Sequence, residues 1–309
     1  MCLYPRLVIN RKYSGTLKNG GNPPPLLDER VKYVPVGCGH CMECMKKKSR
    51  EWKIRLNEEY KVTKFHYYIT LTFSNEHLLK LCNEMNLKEC NAIAGKAVRR
   101  FLERWRKKYK KSLRHWLVTE LGHENTERIH LHGIIFAENE IDTNELQNIW
   151  HYGNVDIGKY CNFRTINYIV KYITKLDQDH KGYTPQIFCS AGLGKNYTER
   201  HLVATQKNDF YRLPNGCKIA LPIYYRNKFF NEDEREQKWI ELIEKGERYV
   251  NGVKIEKIYT EEGYKRYERV LKKAQEVNKS LGYGDFSKEW QKKEYNITAK
   301  MLQKAKRTR

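Results

Sequence analysis

Apolar residues recur along this chain with two periods, and the switch between them marks out the elements. In residues 46–61, KKKSREWKIRLNEEYK, Trp52, Ile54 or Arg55, Leu56 and Tyr60 fall at near-helical spacing and predict a basic helix. His66–Phe73, HYYITLTF, is aromatic and β-branched and predicts a strand. Residues 88–111 predict a helix with an apolar stripe of Ala94, Ala97, Val98, Phe101, Leu102 and Trp105. Leu113–Leu121 and Ile129–Phe136 read as two strands joined through GHENTER. Asp142 and Glu145 resemble a capping box that starts a short helix through Trp150. A strand over Tyr152–Ile157 and a helix over Arg164–Leu176 follow. Beyond 179 the periodicity weakens. Asn215-Gly216 and Asn251-Gly252 predict hairpin turns, 229–247 and 261–280 predict helices, and 287–309 reads as a helix or a basic tail.

Composition narrows the class. The 309 residues carry 59 Lys+Arg against 37 Asp+Glu, a net charge of +22. A folded chain this positive repels itself, so a polyanionic partner is expected. With 40% hydrophobic and 12% aromatic residues, a disordered basic tail is excluded. No window holds the roughly 18 apolar residues of a membrane helix, and Met1–Asn10 lacks a secretory apolar stretch. Neither membrane spanning nor secretion is expected. Residues 14–25, SGTLKNGGNPPP, read as a loop.

Nine cysteines disfavour a simple disulfide framework, and Cys38, Cys41 and Cys44 fall within seven residues. In a reducing compartment three such thiolates point to zinc, which takes four ligands in a closed structural site. His40 is one candidate for the fourth.

Two further patterns carry chemistry. Side chains alternate faces along a strand, so His130 and His132 share one face and Ile129, Leu131 and Ile135 the other. Two such imidazoles can grip one cation. If the strands pair antiparallel, Glu120 comes close to both. A His-His-Glu set with open positions suits Mg²⁺ or Mn²⁺ on a phosphate substrate, or a transition metal. The plainer reading is two histidines without a metal. On the predicted helix 164–176, steps of about 100° put Ile166, Ile169, Val170, Ile173 and Leu176 on a core arc and Tyr168, Lys171, Tyr172 and Lys175 on the opposite one. A phenol needs a metal or a nearby charge to become a nucleophile. The plainer reading is a solvated Tyr/Lys face.

Taken in order, these segments resemble the HUH endonucleases, and more narrowly the rolling-circle replication initiators of gokushovirus-type microviruses. The resemblance runs over most of residues 1–225. It rests on the early Cys2 and Pro5, the Cys cluster before REWKIR, FHYYITLTFSNEHL, TELG with RIHLHGIIF, YGNVDIG, YIVKYITK, SAGLGKNY and LPIYYRNKF. It implies an α+β fold: an antiparallel β-sheet with flanking helices, an N-terminal zinc-binding segment and a helical C-terminal region. It also implies that His130 and His132 hold a catalytic metal, with the third ligand open among Glu120, His123 and Glu124. Tyr168 and Tyr172 match the paired nucleophiles, Lys171 and Lys175 their lysines, and Cys2 completes the zinc set with Cys38, Cys41 and Cys44.

The implied reaction is transesterification. One Tyr attacks a phosphodiester of single-stranded origin DNA, leaving a 5′-phosphotyrosine and a free 3′-OH that primes a host polymerase. The second Tyr cuts after one circuit, and the strand is rejoined into a circle. No Gly-x-x-x-x-Gly-Lys-Ser/Thr loop is present, so unwinding falls to a host helicase. The setting implied is the host bacterial cytoplasm. Basic clusters at Lys46, Lys47, Lys48, Arg50, Lys53 and Arg55, and at Arg104, Arg106, Lys107, Lys108 and on to Lys111, are expected to contact DNA phosphates. Trp52, Trp105 and Tyr109 within them read as core anchors. Three segments are expected: 1–62 with the Cys cluster and basic helix, 63–178 as the catalytic core, and 179–309 with hairpins and basic helices. The alternatives are a transposase or relaxase of the same chemistry, a hydrolase acting through water, and a non-catalytic zinc-containing nucleic-acid-binding protein.

Overall fold

The computed structural model describes residues 1–85, 89–122, 127–158, 161–175, 180, 183–201, 208–213, 215–285 and 287. Strands β1 (Arg6–Ile9) and β2 (Tyr33–Val36) precede a long helix, α1 (Met42–Tyr60). Then come β3 (Phe65–Leu71), α2 (Asn75–Met85), α3 (Cys90–Tyr109), β4 (Arg114–Leu121) and β5 (Ile129–Ala137). These are followed by α4 (Thr143–Trp150), β6 (Val155–Ile157), α5 (Phe163–Ile169), α6 (Lys171–Thr174), β7 (Ile187–Cys189) and α7 (Asn196–His201). The chain continues through β8 (Phe210–Arg212), β9 (Lys218–Ala220), α8 (Ile223–Phe229), α9 (Glu232–Glu244), β10 (Arg248–Val250), β11 (Val253–Ile255) and α10 (Glu261–Ser280). The fold is α+β, as expected.

Contacts divide the chain into two units, residues 48–204 and residues 1–47 with 205–286. This division differs from three consecutive segments because long-range contacts set it. The Gln275 side chain donates to Leu3 O at 2.8 Å, and the Asn278 side chain accepts from Met42 N at 2.8 Å. Leu3, Cys38, Cys41, Met42, Val250, Ile255 and Ala274 make this unit's core. Within it, β10 and β11 form a hairpin whose turn residues Asn251 and Gly252 have φ of 47° and 82°, the left-handed values such turns require.

The other unit is built on a five-stranded sheet of order β6-β3-β5-β4-β7, antiparallel throughout. Alternation along its strands creates two apolar faces. Ile69, Leu71, Leu117, Leu121, Leu131 and Ile135 pack with Ile93, Ala97, Phe101 and Trp105 of α3 and with Leu78 and Leu81 of α2. Trp116, Val118, Ile134 and Phe136 pack with Leu56 of α1 and with Ile166, Ile169 and Ile173 of α5 and α6. At Gly133 in β5 an added Cβ would overlap the Leu117 side chain and lie 2.6 Å from Trp116 O, so β4 and β5 approach closely only because this residue is glycine.

Several local expectations need correction. The helix over Asn75–Met85 is not among the predicted elements; the Ser74 hydroxyl accepts from His77 N at its start, and Leu78, Leu79 and Leu81 bury its inner face. Asp142 caps α4 by accepting from Asn144 N, a single cap instead of a reciprocal box. The expected continuous helix 164–176 is two short helices separated at Val170, and it ends at Lys175, whose backbone is extended. The Ser49 hydroxyl donates to Val170 O at 3.0 Å, competing with the helical ladder there. Leu176 lies outside the described residues.

Candidate active site

The antiparallel register of β4 with β5 sets Glu120 directly opposite His130. Because side chains two apart on a strand share a face, His132 joins them. Glu120 Oε2 lies 3.2 Å from His130 Nε2 and 2.9 Å from His132 Nε2, and the two ring nitrogens are 3.1 Å apart. One carboxylate oxygen and two imidazole nitrogens thus converge within the reach of a single cation. Burial works against the Glu120 charge, but hydrogen bonds from His130, His132 and Lys175 together outweigh it and hold the carboxyl well below its usual range. The structure therefore brings Glu120 to the histidines. His123 and Glu124, the other candidates, lie outside the described residues.

Two residues that the sequence reading missed orient this set. Tyr68 OH and Thr70 Oγ1 each lie 3.1 Å from His132 Nδ1, which leaves Nε2 facing Glu120. Thr70 pairs with His132 across β3 and β5, so both side chains sit on the histidine face. Alternation in YYITL is visible in the sequence, but only the register shows which histidine it serves. His130 Nδ1 lies 3.3 Å from Arg128 O, just before its own strand.

The tyrosine pair adjoins the triad. The Tyr172 ring stacks on His132 with centroids 4.3 Å apart and planes at 13°. Tyr172 OH and Tyr168 OH are 2.8 Å apart. Their environments differ. Tyr168 is 51% exposed and Tyr172 only 9%. Placing Tyr172 on a solvated arc is therefore corrected: it faces the sheet and belongs to the core packed there. Burial, with the hydrogen bond to Tyr168, pushes the Tyr172 phenol up. Lys175 Nζ sits 2.6 Å from Glu120 Oε1 and 5.6 Å from the Tyr172 ring centre. Lys171 is exposed and, among the described residues, its ammonium makes no hydrogen bond or ion pair; it is not drawn into this cluster.

The basic positions separate into two kinds. The Arg104 guanidinium donates to Ile149 O at 2.8 Å, Trp150 O at 3.2 Å and Tyr152 OH at 3.2 Å, so it caps the end of α4, a role the charge run does not reveal. Lys108 pairs with Glu145, and Lys46 with Glu43 at 3.5 Å. Lys48 is half-buried, and burial pushes its ammonium down. Lys47, Arg50, Arg106 and Lys107 are exposed. Trp105 is buried and Trp52 packs on Trp116 at 5.9 Å, as core anchors should.

In the other unit, the sulfurs of Cys2, Cys38, Cys41 and Cys44 all lie within 4.8 Å of one another, without disulfides. Cys2 and Cys41 Sγ are 3.9 Å apart, as are Cys38 and Cys44 Sγ. Tetrahedral zinc with Zn–S of about 2.3 Å separates its sulfurs by roughly 3.8 Å, so the set fits that ion. Backbone amides of Tyr4 and Cys38 donate to Cys2 Sγ, at 3.3 and 3.2 Å. Hydrogen bonds from the Cys38 and Cys41 thiols hold the Cys2 thiol below its ordinary range, the direction a thiolate ligand needs. His40 is not a member of this group. Among the described residues, no helix is long and apolar enough to cross a membrane.

Sequence comparison bears on this geometry. Residues 66–177, which contain the triad and both tyrosines, match the family model for replication-associated protein ORF2. The chain is also similar to replication-associated protein VP4 of Bdellovibrio phage phiMH2K, 25% identical over 226 residues, covering 66% of this chain and 70% of that protein. No solved structure matches the chain significantly. Together the two matches support a phage rolling-circle replication initiator.

Proposed function

We propose that this chain nicks and rejoins origin DNA by tyrosine transesterification. The observation that carries the reading is the convergence of Glu120, His130 and His132 beside the hydrogen-bonded Tyr168–Tyr172 pair. Mg²⁺ or Mn²⁺, held by Glu120 and the two histidines, would polarise the scissile phosphodiester. Tyr168 is the more exposed phenol and so the first nucleophile. Its oxygen forms the bond to phosphorus as the bond to the 3′-oxygen breaks. The phenolic proton is lost to solvent, and the departing 3′-oxygen takes one up. Tyr172, hydrogen-bonded to Tyr168, stabilises the developing phenolate by donating to it. Lys175 adds a positive charge beside the phosphate. The energy of the cut bond is retained in the phosphotyrosine, so no nucleotide is consumed. The paired tyrosines favour repeated cleavage, as replication demands, over a single strand transfer by a transposase or relaxase.

Zinc on Cys2, Cys38, Cys41 and Cys44 serves as a structural pin between the N-terminus and the start of α1. Lys46, Lys47, Lys48, Arg50, Arg106 and Lys107 supply phosphate contacts, and a host helicase and polymerase in the bacterial cytoplasm complete the reaction. The test is incubation with single-stranded origin-like DNA and Mn²⁺. A denaturation-resistant protein–DNA adduct on Tyr168 or Tyr172 is expected. Cut DNA without an adduct would make the site a hydrolase acting through water. Binding without cutting would leave a nucleic-acid-binding protein.

A further inference from the structure

We infer that the cleft on the outer side of His130 seats the nucleotide adjoining the scissile phosphate and reads its base. The inference rests on the nicking reading above and names how that site selects its substrate. The cleft has a volume of about 330 Å³ and is lined by Thr72, Phe73, Ser74, Arg128, His130 and Asn154, with Gly122 and Gly153 closing its walls. Sites for small ligands begin near that size. His130 belongs to both the cleft and the triad, so a strand with one phosphate at the triad has its neighbouring nucleotide at the mouth of the cleft.

The walls are preformed. Thr72 N donates to Asn154 O at 3.0 Å, Ser74 N to Tyr152 O at 2.8 Å, and Asn154 N to the Thr72 hydroxyl at 2.8 Å. Trp150 Nε1 holds Thr72 O at 2.8 Å from behind. At Gly153 an added Cβ would come 2.5 Å from Thr72 O, so the two backbones are already pressed together. A rigid wall of this kind discriminates between occupants because it does not reshape around them.

Two polar side chains at the cleft suit a nucleotide. Arg128 donates from Nη1 to Phe73 O at 3.3 Å, which uses one of five N–H groups and fixes the guanidinium in place. Among the described residues no carboxylate pairs with Arg128, whereas Arg114 and Arg200 of the same unit are paired with Glu59 and Glu58. The Asn154 side chain is exposed and, among the described residues, its carboxamide has no hydrogen-bond partner. A carboxamide offers a donor and an acceptor together, the pair that reads a base edge. A free phosphate would engage the cation and leave the amide and most of the volume unused.

The test uses single-stranded oligonucleotides carrying 5-iododeoxyuridine at successive positions, photocrosslinked to the full chain without metal and mapped by mass spectrometry. One position is expected to crosslink to peptides holding Thr72–Ser74, Arg128 or Asn154, and excess inorganic phosphate should not suppress it. Crosslinks confined to other segments, or abolished by phosphate as readily as by nucleotide, overturn the inference. In parallel, a randomised single-stranded library is cut with Mn²⁺ and the junctions are sequenced. A base preference beside the cut should fall about tenfold in Asn154→Ala and in the isosteric Asn154→Asp, with the other positions unaffected. Arg128→Ala should raise KM more than it lowers kcat. Adduct formation with an unchanged preference in the Asn154 variants refutes the cleft while sparing the nicking reading. Cleft crosslinks with no adduct on any DNA do the reverse.

Discussion

His132 is the most heavily constrained side chain of the site, held through Nδ1 by Tyr68 and Thr70 and covered by the Tyr172 ring. Neutral imidazole ligands depend on such partners for orientation. His130→Ala or His132→Ala should abolish cleavage and leave most DNA binding, which a nicking gel run beside a filter-binding assay checks; chelation with EDTA should do the same, reversed by Mn²⁺. Thr70→Val should weaken metal affinity by about tenfold without unfolding the protein, measured by Mn²⁺ titration. The tyrosines separate by exposure. Tyr168→Phe should slow the first cleavage more than Tyr172→Phe, because Tyr168 is open to the strand and Tyr172 is buried. The double variant should form no adduct, and neither single variant should complete repeated cycles of cutting and rejoining. Multi-cycle activity equal to wild type in either single variant would refute alternation of the two phenols.

At the scale of elements, β4 and β5 matter most, because their register joins a carboxylate to two imidazoles that lie 10 and 12 positions away in sequence. Gly133 lies between His132 and the hydrophobic end of β5. Gly133→Ala should cost about 1–3 kcal/mol, as overpacking does, and the displaced strand should carry the histidines with it. Urea denaturation reads the first effect, and Mn²⁺ affinity of the still-folded variant reads the second. The HxH alternation and the YxxK spacing were legible in the sequence because they depend only on local periodicity. The break at Val170 was not. It follows from a hydroxyl on α1 bonding to a carbonyl 121 residues away, and it turns Tyr172 toward the sheet and lets Lys175 leave the helix for Glu120.

At the scale of the whole molecule, the net charge of +22 favours DNA association through phosphates. Binding to single-stranded DNA should weaken steeply and log-linearly with salt. Arg106→Ala and Lys107→Ala should each lower the slope by a little under one, as each removes one released counterion. Arg104→Ala should instead lower stability, since Arg104 caps α4. The purified chain should carry about one zinc per molecule, since a closed Cys₄ site holds one ion. Cys38→Ser should lower the thermal midpoint more than the rate of nicking, with metal content read by elemental analysis. Zinc-free protein purified without chelators would exclude that site.

Charge, strand alternation, the close cysteine spacing and the two-tyrosine motif were determined by the sequence alone, because each is a property of composition or of neighbours within a few residues. They were sufficient to expect an α+β fold, a polyanionic partner and a metal bound by His130 and His132. Tertiary structure decided which carboxylate joins them, which tyrosine is open to solvent, which basic residues are engaged within the protein, and that Cys2 lies with Cys38, Cys41 and Cys44. Each of these depends on strand register or on a contact between residues distant in the chain. Only packing of the whole set of elements selects among such contacts, and local periodicity carries no record of that choice.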